Sequence, residues 1–239
     1  MHALNLRTAL RAAARRRGRA YATATRVGQF SAAWSFAGVN DAVRDIVLLG
    51  DPVLHKPCDP VYGDKKRGVA PLGSHDIAAI AHQLRSTAAH HNAFGLAAPQ
   101  LGYLFRMFVM ARDWSTLSDT HQATYEDYDV IVDPQIDSLC SKDKDVHVEQ
   151  CLSVPGIQGI VARPNCLRAS YYDLTSCDAK QAPEKPPRPT KRRVVRFAAQ
   201  IFQHELDHLD GVLYMDRMQK GSEGLAVVPP RKGLPWSMS

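Results

Sequence analysis

The chain has 239 residues, 45% hydrophobic and 23% charged, proportions that exclude wholesale disorder, and no run reaches the roughly 18 apolar residues of a spanning helix. Its formal charge of +6 is concentrated at one end: residues 1–40 hold seven arginines and no lysine, aspartate or glutamate. The remainder carries 23 basic against 24 acidic residues, a balance that gives no support to a phosphate-reading groove or to sequence-specific nucleic-acid binding.

The first 40 residues have the composition of an organelle transit peptide. Leu4, Leu6 and Leu10 segregate from Arg7, Arg11 and Arg15 on a helix, acids are absent, and residues 8–30 lack a secretory signal's apolar core. A mitochondrial destination is expected, with the plastid as alternative, and cleavage is expected between Tyr21 and Asp41. A plain disordered basic tail is the competing reading. The five cysteines are scattered and odd in number, which argues against a disulfide framework and for a reducing compartment.

From Asp45 the pattern changes. Ile46–Leu49 is a short apolar run meeting a Gly50-Asp51-Pro52 turn. Residues 74–91 read as a helix capped by Ser74, with Ile77, Ile80, Ala81, Leu84 and Ala88 at helical spacing. Residues 95–100 form a compact small-residue segment, 106–111 a buried strand, and 112–129 a polar tip. A strand over 130–132 is expected to stop at Asp133-Pro134. Further strand signals lie at 146–153, 157–161 and 167–172. Residues 173–193 are proline-rich and read as a surface insertion. The strongest helix covers 194–209 and closes at Asp210-Gly211. The expected organisation is an arm over 1–40, a catalytic domain over 41–217 and a loose tail over 218–239. The expected class is α+β, with several short antiparallel strands around the late helix.

That helix carries Gln203-His204-Glu205-Leu206-Asp207-His208. Histidines four apart lie about 40° apart on one face, one turn separated, so both imidazoles can reach one metal ion. Glu205 beside the first histidine is placed to act as general base on an attacking water. A third ligand must come from elsewhere: Cys151, another histidine, or a downstream acid. A thiolate with two imidazoles would leave one tetrahedral position open, as catalytic sites require.

Three segments together resemble the peptide deformylase family. Residues 93–100 (AFGLAAPQ) match its first motif, GxGxAAPQ. Residues 149–153 (EQCLS) match its second, EGCLS, and 203–211 (QHELDHLDG) its third, QHExDHLxG. The resemblance covers roughly residues 44–217. It implies removal of the formyl group from the N-terminal methionine of nascent organellar chains, with N-formylmethionyl peptides as substrates. The Lys191-Arg192-Arg193 run reads as a solvated hairpin or helix entrance, or as a contact to the mitochondrial ribosome through its RNA surface. By the same resemblance Cys151, His204 and His208 bind one divalent metal, Fe²⁺ natively, with Zn²⁺, Co²⁺ or Ni²⁺ tolerated. Glu205 is then the acid/base, and Gln100 with the backbone N–H of Leu152 holds the oxyanion.

Departures from the motifs concern the substrate side. Gln150 replaces a glycine beside the peptide groove; it either narrows the groove or folds outward. Gln200 lies one turn before His204, where the family carries an apolar residue of the methionine pocket. Either it presents an amide to the pocket, or it turns aside while Phe94, Phe197 and Ile201 keep an apolar wall. Gly95 completes the expected substrate-binding set. Arg163 is expected to pair with Glu149, and His90-His91 to face solvent at a helix end. Two other functions compete: a deformylase-like binder of nascent N-termini or ribosomes without turnover, and a zinc endopeptidase sharing only HExxH.

Overall fold

The computed structural model describes residues 42–113, 117, 122–177, 180–218 and 225–227. The arginine-rich arm and most of the C-terminal tail lie outside the described residues. In chain order the described elements are α1 (Ser74–His90), β1 (Gly95–Ala97), β2 (Met107–Ala111), β3 (Tyr128–Leu139), β4 (Lys144–Cys151), β5 (Val154–Pro164), β6 (Cys166–Asp173), β7 (Thr190–Val195), α2 (Arg196–Leu209) and β8 (Leu225–Val227).

Alternation along the strands decides the layering, because successive side chains point to opposite faces of a sheet. Met107, Val109 and Ala111 of β2 pack with Ile77, Leu84 and Ala88 of α1. Phe108 and Met110 pack instead with Phe202 and Leu209 of α2. The five-stranded antiparallel sheet β1-β2-β3-β6-β7 is thus covered by a helix on each face. This explains why β2 reads as a continuous apolar run rather than an alternating one. Phe108 and Phe202 meet edge to face at 5.3 Å, an arrangement worth about 0.5–1.5 kcal/mol beyond burial. A second antiparallel sheet, β4-β5-β8, has its own small cluster of Cys151, Val154, Val161 and Tyr214. The α+β class with antiparallel strands around the late helix is observed.

Several boundaries differ from the sequence reading. The apolar run Ile46–Leu49 joins neither sheet: Val47 N–H donates to Gln100 O (2.8 Å) and Leu49 N–H to Ser153 O (2.7 Å). Bonds to two different partners make a tie between segments, not a ladder. Ser74 does not cap α1; its hydroxyl donates to Ala182 O, and Gly73 is the N-cap. The strand at 130–132 does not stop at Asp133-Pro134. Asp133 adopts φ 47° and the pairing with β6 shifts between Val132 and Gln135, a bulge that admits proline inside a strand. The Asp133 carboxylate accepts N–H bonds from Val61 (2.8 Å) and Tyr62 (3.2 Å).

The late helix starts two residues later than expected because Val194 and Val195 complete β7. Arg196 makes the corner at φ 54°. The proline-rich connection is correspondingly shorter, since Thr190–Arg193 pair with β6, and Ala182 within it is buried. Part of the tail, β8, pairs with Ile157–Gly159.

Candidate active site and metal centre

Each part of the site is positioned by a local device. After β1 the chain turns through Ala98–Leu101, with Pro99 at the start and Gly102 at φ 85° closing the turn, a left-handed conformation suited to glycine. Within this turn Gln100 Oε1 accepts the Ala97 N–H at 2.8 Å. That bond fixes the amide so that Nε2 reaches Cys151 Sγ at 3.4 Å and Ser153 Oγ at 3.2 Å. Cys151 ends β4, and Leu152 and Ser153 make the turn into β5. His204, Glu205 and His208 come from α2.

The ligand atoms of Cys151, His204 and His208 lie within 4.8 Å of one another, with Cys151 Sγ 3.2 Å from His208 Nε2. Of the third-ligand candidates, the structure brings Cys151. His204 Nδ1 is 2.9 Å from Glu149 Oε2, which assigns the proton to Nδ1 and leaves Nε2 free as a ligand. Glu149 is clamped by Arg163, with Nε to Oε1 at 2.5 Å and Nη2 to Oε2 at 2.9 Å. The expected Arg163–Glu149 pair is therefore present. Arg163 also donates to Asp207 (2.8 Å), and Asp207 accepts from Arg217 (2.8 Å). Neither Asp207 nor Arg217 was picked out from sequence.

Electrostatics follow from burial and these partners. Burial pushes Glu205 up to about 7, with His204 and Arg163 opposing and Glu149 adding. For Glu149 burial acts upward, but hydrogen bonds and charges of His204 and Arg163 outweigh it and hold the carboxyl near 2. Burial, with the charges of His204 and Arg163, keeps His208 neutral, as a ligand must be.

Glu205 is 4% exposed and its Oε2 is buried without a hydrogen-bond partner among the described residues. A buried polar atom without a partner costs about 1–3 kcal/mol, so the site is built to receive something there. Thiolate and imidazole donors suit a divalent transition metal, and the donor set fits one.

A cavity of about 370 Å³ opens beside these groups. Every expected substrate-binding residue lines it: Phe94, Gly95, Gln150, Phe197, Gln200 and Ile201. Leu152 does too. Phe94 and Phe197 meet edge to face at 5.1 Å. Gln150 is exposed and donates to Gln158 Oε1 across the β4–β5 pair at 3.2 Å, while still lining the rim of the cavity. Gln200 stays in the wall, 6% exposed. His91 lines the cavity as well, contrary to its expected solvent role. Gly95 has a structural reason: a Cβ there would lie 2.5 Å from Glu205 Oε1.

Comparison with known proteins decides the family. A family model described as polypeptide deformylase matches residues 43–223. The chain belongs to the polypeptide deformylase family. It is 31% identical over 179 residues to a peptide deformylase of Leptospira biflexa, covering 74% of this chain and 89% of that protein. It is 35% identical over 178 residues to peptide deformylase 3 of Streptomyces avermitilis, covering 73% and 70%. Among solved structures, the deformylase of Plasmodium falciparum superposes with a TM-score of 0.57 at 26% identity, covering 74% of this chain and 88% of that one. A Met-Ala-Ser-bound deformylase of Acinetobacter baumannii gives 0.57 at 26%, covering 74% and 98%. The deformylase fold is thus shared across the described core, and the three sequence motifs fall at its site.

Proposed function

We propose that this protein is a metal-dependent peptide deformylase that removes the formyl group from the N-terminal formyl-methionine of chains made in an organelle, the mitochondrion first. One observation carries the reading: Cys151, His204 and His208 converge beside the fixed Gln100 amide and the buried Glu205 carboxylate, whose Oε2 has no hydrogen-bond partner among the described residues. Family membership supplies the reaction class.

Cys151 Sγ and imidazole nitrogens of His204 and His208 would hold one divalent cation, Fe²⁺ natively, with Zn²⁺, Co²⁺ or Ni²⁺ also suited to these donors. Such an ion supplies Lewis acidity to the formyl group and its attacking water. Glu205, poised near neutrality, takes the proton of that water as it attacks the formyl carbon. It then returns the proton to the leaving amine. Gln100 Nε2, held by the Ala97 N–H, and the N–H of Leu152 donate to the oxygen on which charge develops. Losing one such donor commonly costs about 10²–10³ in rate. Glu149 and Arg163 keep His204 in the tautomer that leaves its other nitrogen free.

The acid-free arginine-rich arm supports organellar import. Exposed Lys191, Arg192 and Arg193 on β7 would favour contact with a ribosomal RNA surface.

The test is kcat/KM for formate release from a formyl-Met tripeptide by anaerobically purified, metal-loaded protein, beside Glu205→Ala. Turnover far above the variant is expected; a wild type that binds metal yet matches the variant would overturn the reading. For localisation, residues 1–40 fused to a fluorescent protein are expected to enter mitochondria, and diffuse fluorescence would refute that part.

A further inference from the structure

Two residues that line the cavity each hold a buried polar atom without a hydrogen-bond partner among the described residues. Gln200 is 6% exposed and its Oε1 is buried without a hydrogen-bond partner. His91, just past the end of α1, lines the same cavity, and its Nδ1 is likewise buried and unpartnered. Burial, together with the charge of His90, lowers the His91 pKa, so the ring is neutral and one nitrogen can donate while the other accepts. Around them the wall is apolar: Phe94, Leu117, Phe197 and Ile201. Buried polar side chains without partners are rare, and each is a cost that a bound ligand can recover. A leucine at position 200 would line a purely apolar pocket without leaving a buried polar atom unpaired.

We infer that this cavity takes a first side chain of about methionine's length that ends in a hydrogen-bonding head able to donate, such as a primary amide, and that Gln200 determines this specificity. The inference rests on the deformylase reading, because the cavity lies directly against Cys151, His204 and Glu205. The residue bearing the formyl group would place its side chain there. A thioether is only a weak acceptor and leaves both wall groups unpaired. A sulfoxide oxygen can only accept, so it can meet a His91 N–H but not the orphan Gln200 Oε1, itself an acceptor. A primary amide both donates and accepts, and can meet Gln200 and His91 together.

Four formyl-X-Ala-Ser peptides test this, with X methionine sulfoxide, glutamine, methionine or norleucine, the last an apolar match to methionine in length. In the metal-loaded wild type, the glutamine peptide is expected to equal or exceed norleucine in kcat/KM. A wholly apolar pocket would favour norleucine by about tenfold or more, since a polar head would be buried unpaired. Gln200→Leu is expected to lower the polar-to-norleucine ratio by about tenfold, mainly through KM. Calorimetric binding of the deformylated products X-Ala-Ser should follow the same order, independently of turnover.

A wild-type preference for norleucine of tenfold or more, or a ratio unmoved by Gln200→Leu, overturns the inference while leaving the deformylase intact. Polar-headed products that bind best without any formate release would overturn the deformylase reading and leave the pocket assignment standing. Absence of both turnover and product binding would sink the two together.

Discussion

Replacing Gly95 by alanine should separate catalysis from folding. A methyl built on Gly95 would sit 2.5 Å from Oε1, 2.8 Å from Cδ and 2.9 Å from Cγ of Glu205. Ordinary heavy-atom contact begins near 3.5 Å, so the carboxylate must retreat by about 1 Å. Gly95 is absent from the residues with positive φ, and alanine can adopt its backbone without strain. The obstacle is the far end of a flexible side chain, so the fold can absorb it. The reaction cannot, because a misplacement of about 1 Å commonly costs about 10²-fold in rate, equivalent to about 2.7 kcal/mol of barrier. Gly95→Ala is therefore expected to retain metal content and melting temperature while kcat for formyl-Met-Ala-Ser falls about a hundredfold. Steady-state formate release, metal analysis and calorimetry on one preparation give the answer. A kcat within about threefold of wild type would show that Glu205 does not act from the observed position. A collapse in melting temperature would instead assign Gly95 to folding.

Other outcomes follow from neighbouring contacts. Arg163→Met leaves Glu149 and Asp207 buried without their shared cation; breaking such a pair costs about 3–5 kcal/mol. Urea unfolding should show this, and dialysis should strip metal faster; wild-type metal retention would refute the role given to the clamp. Cys151→Ala should lose its metal on dialysis, whereas a zinc site resting on HExxH alone would keep it. Gln150→Gly should change kcat/KM by no more than about twofold, as an exposed substitution does. A large gain would show that the glutamine obstructs the groove despite its bond to Gln158.

The metal face of α2 was legible because helical periodicity converts an i, i+4 spacing directly into one side of a cylinder. Cys151 was only one of several third-ligand candidates by residue chemistry, and its choice needed the motif order. The network behind it was half legible. Glu149 and Arg163 sit in strands whose pairing could be guessed, but Asp207 is not a metal ligand and reads from sequence as a solvated acid. Its partners are Arg163, 44 positions away, and Arg217, which returns after the helix, and nothing local announces either. Ser153 was missed for the same reason, since its value lies in a bond from Gln100, 53 positions away. His91 was misplaced because a helix-terminal histidine normally meets water, whereas here the chain doubles back through Phe94 and Gly95 into β1. Pro134 looked like a stop because the bulge that tolerates it is set by Asp133 holding Val61 and Tyr62.

The division of the ligands between two sheets has a consequence for the life of the holoprotein. Cys151 belongs to the small sheet, while both histidines ride on the helix packed under the large one. Among the described residues the small sheet's own apolar cluster has four buried members. It is fastened to α2 by Arg163 on Asp207, by Glu149 on His204, by Gln203 on Pro164 O and by Tyr214 stacked on His204 at 6.0 Å. A cation bridging thiolate and imidazoles would therefore act as a rivet between two bodies. Because Cys151 and His204 also line the open cavity, the ion can enter from that side, and removing it should loosen the β4–β5 hairpin from α2. Hairpin amides are then expected to take up deuterium faster in the metal-free protein than in the loaded one.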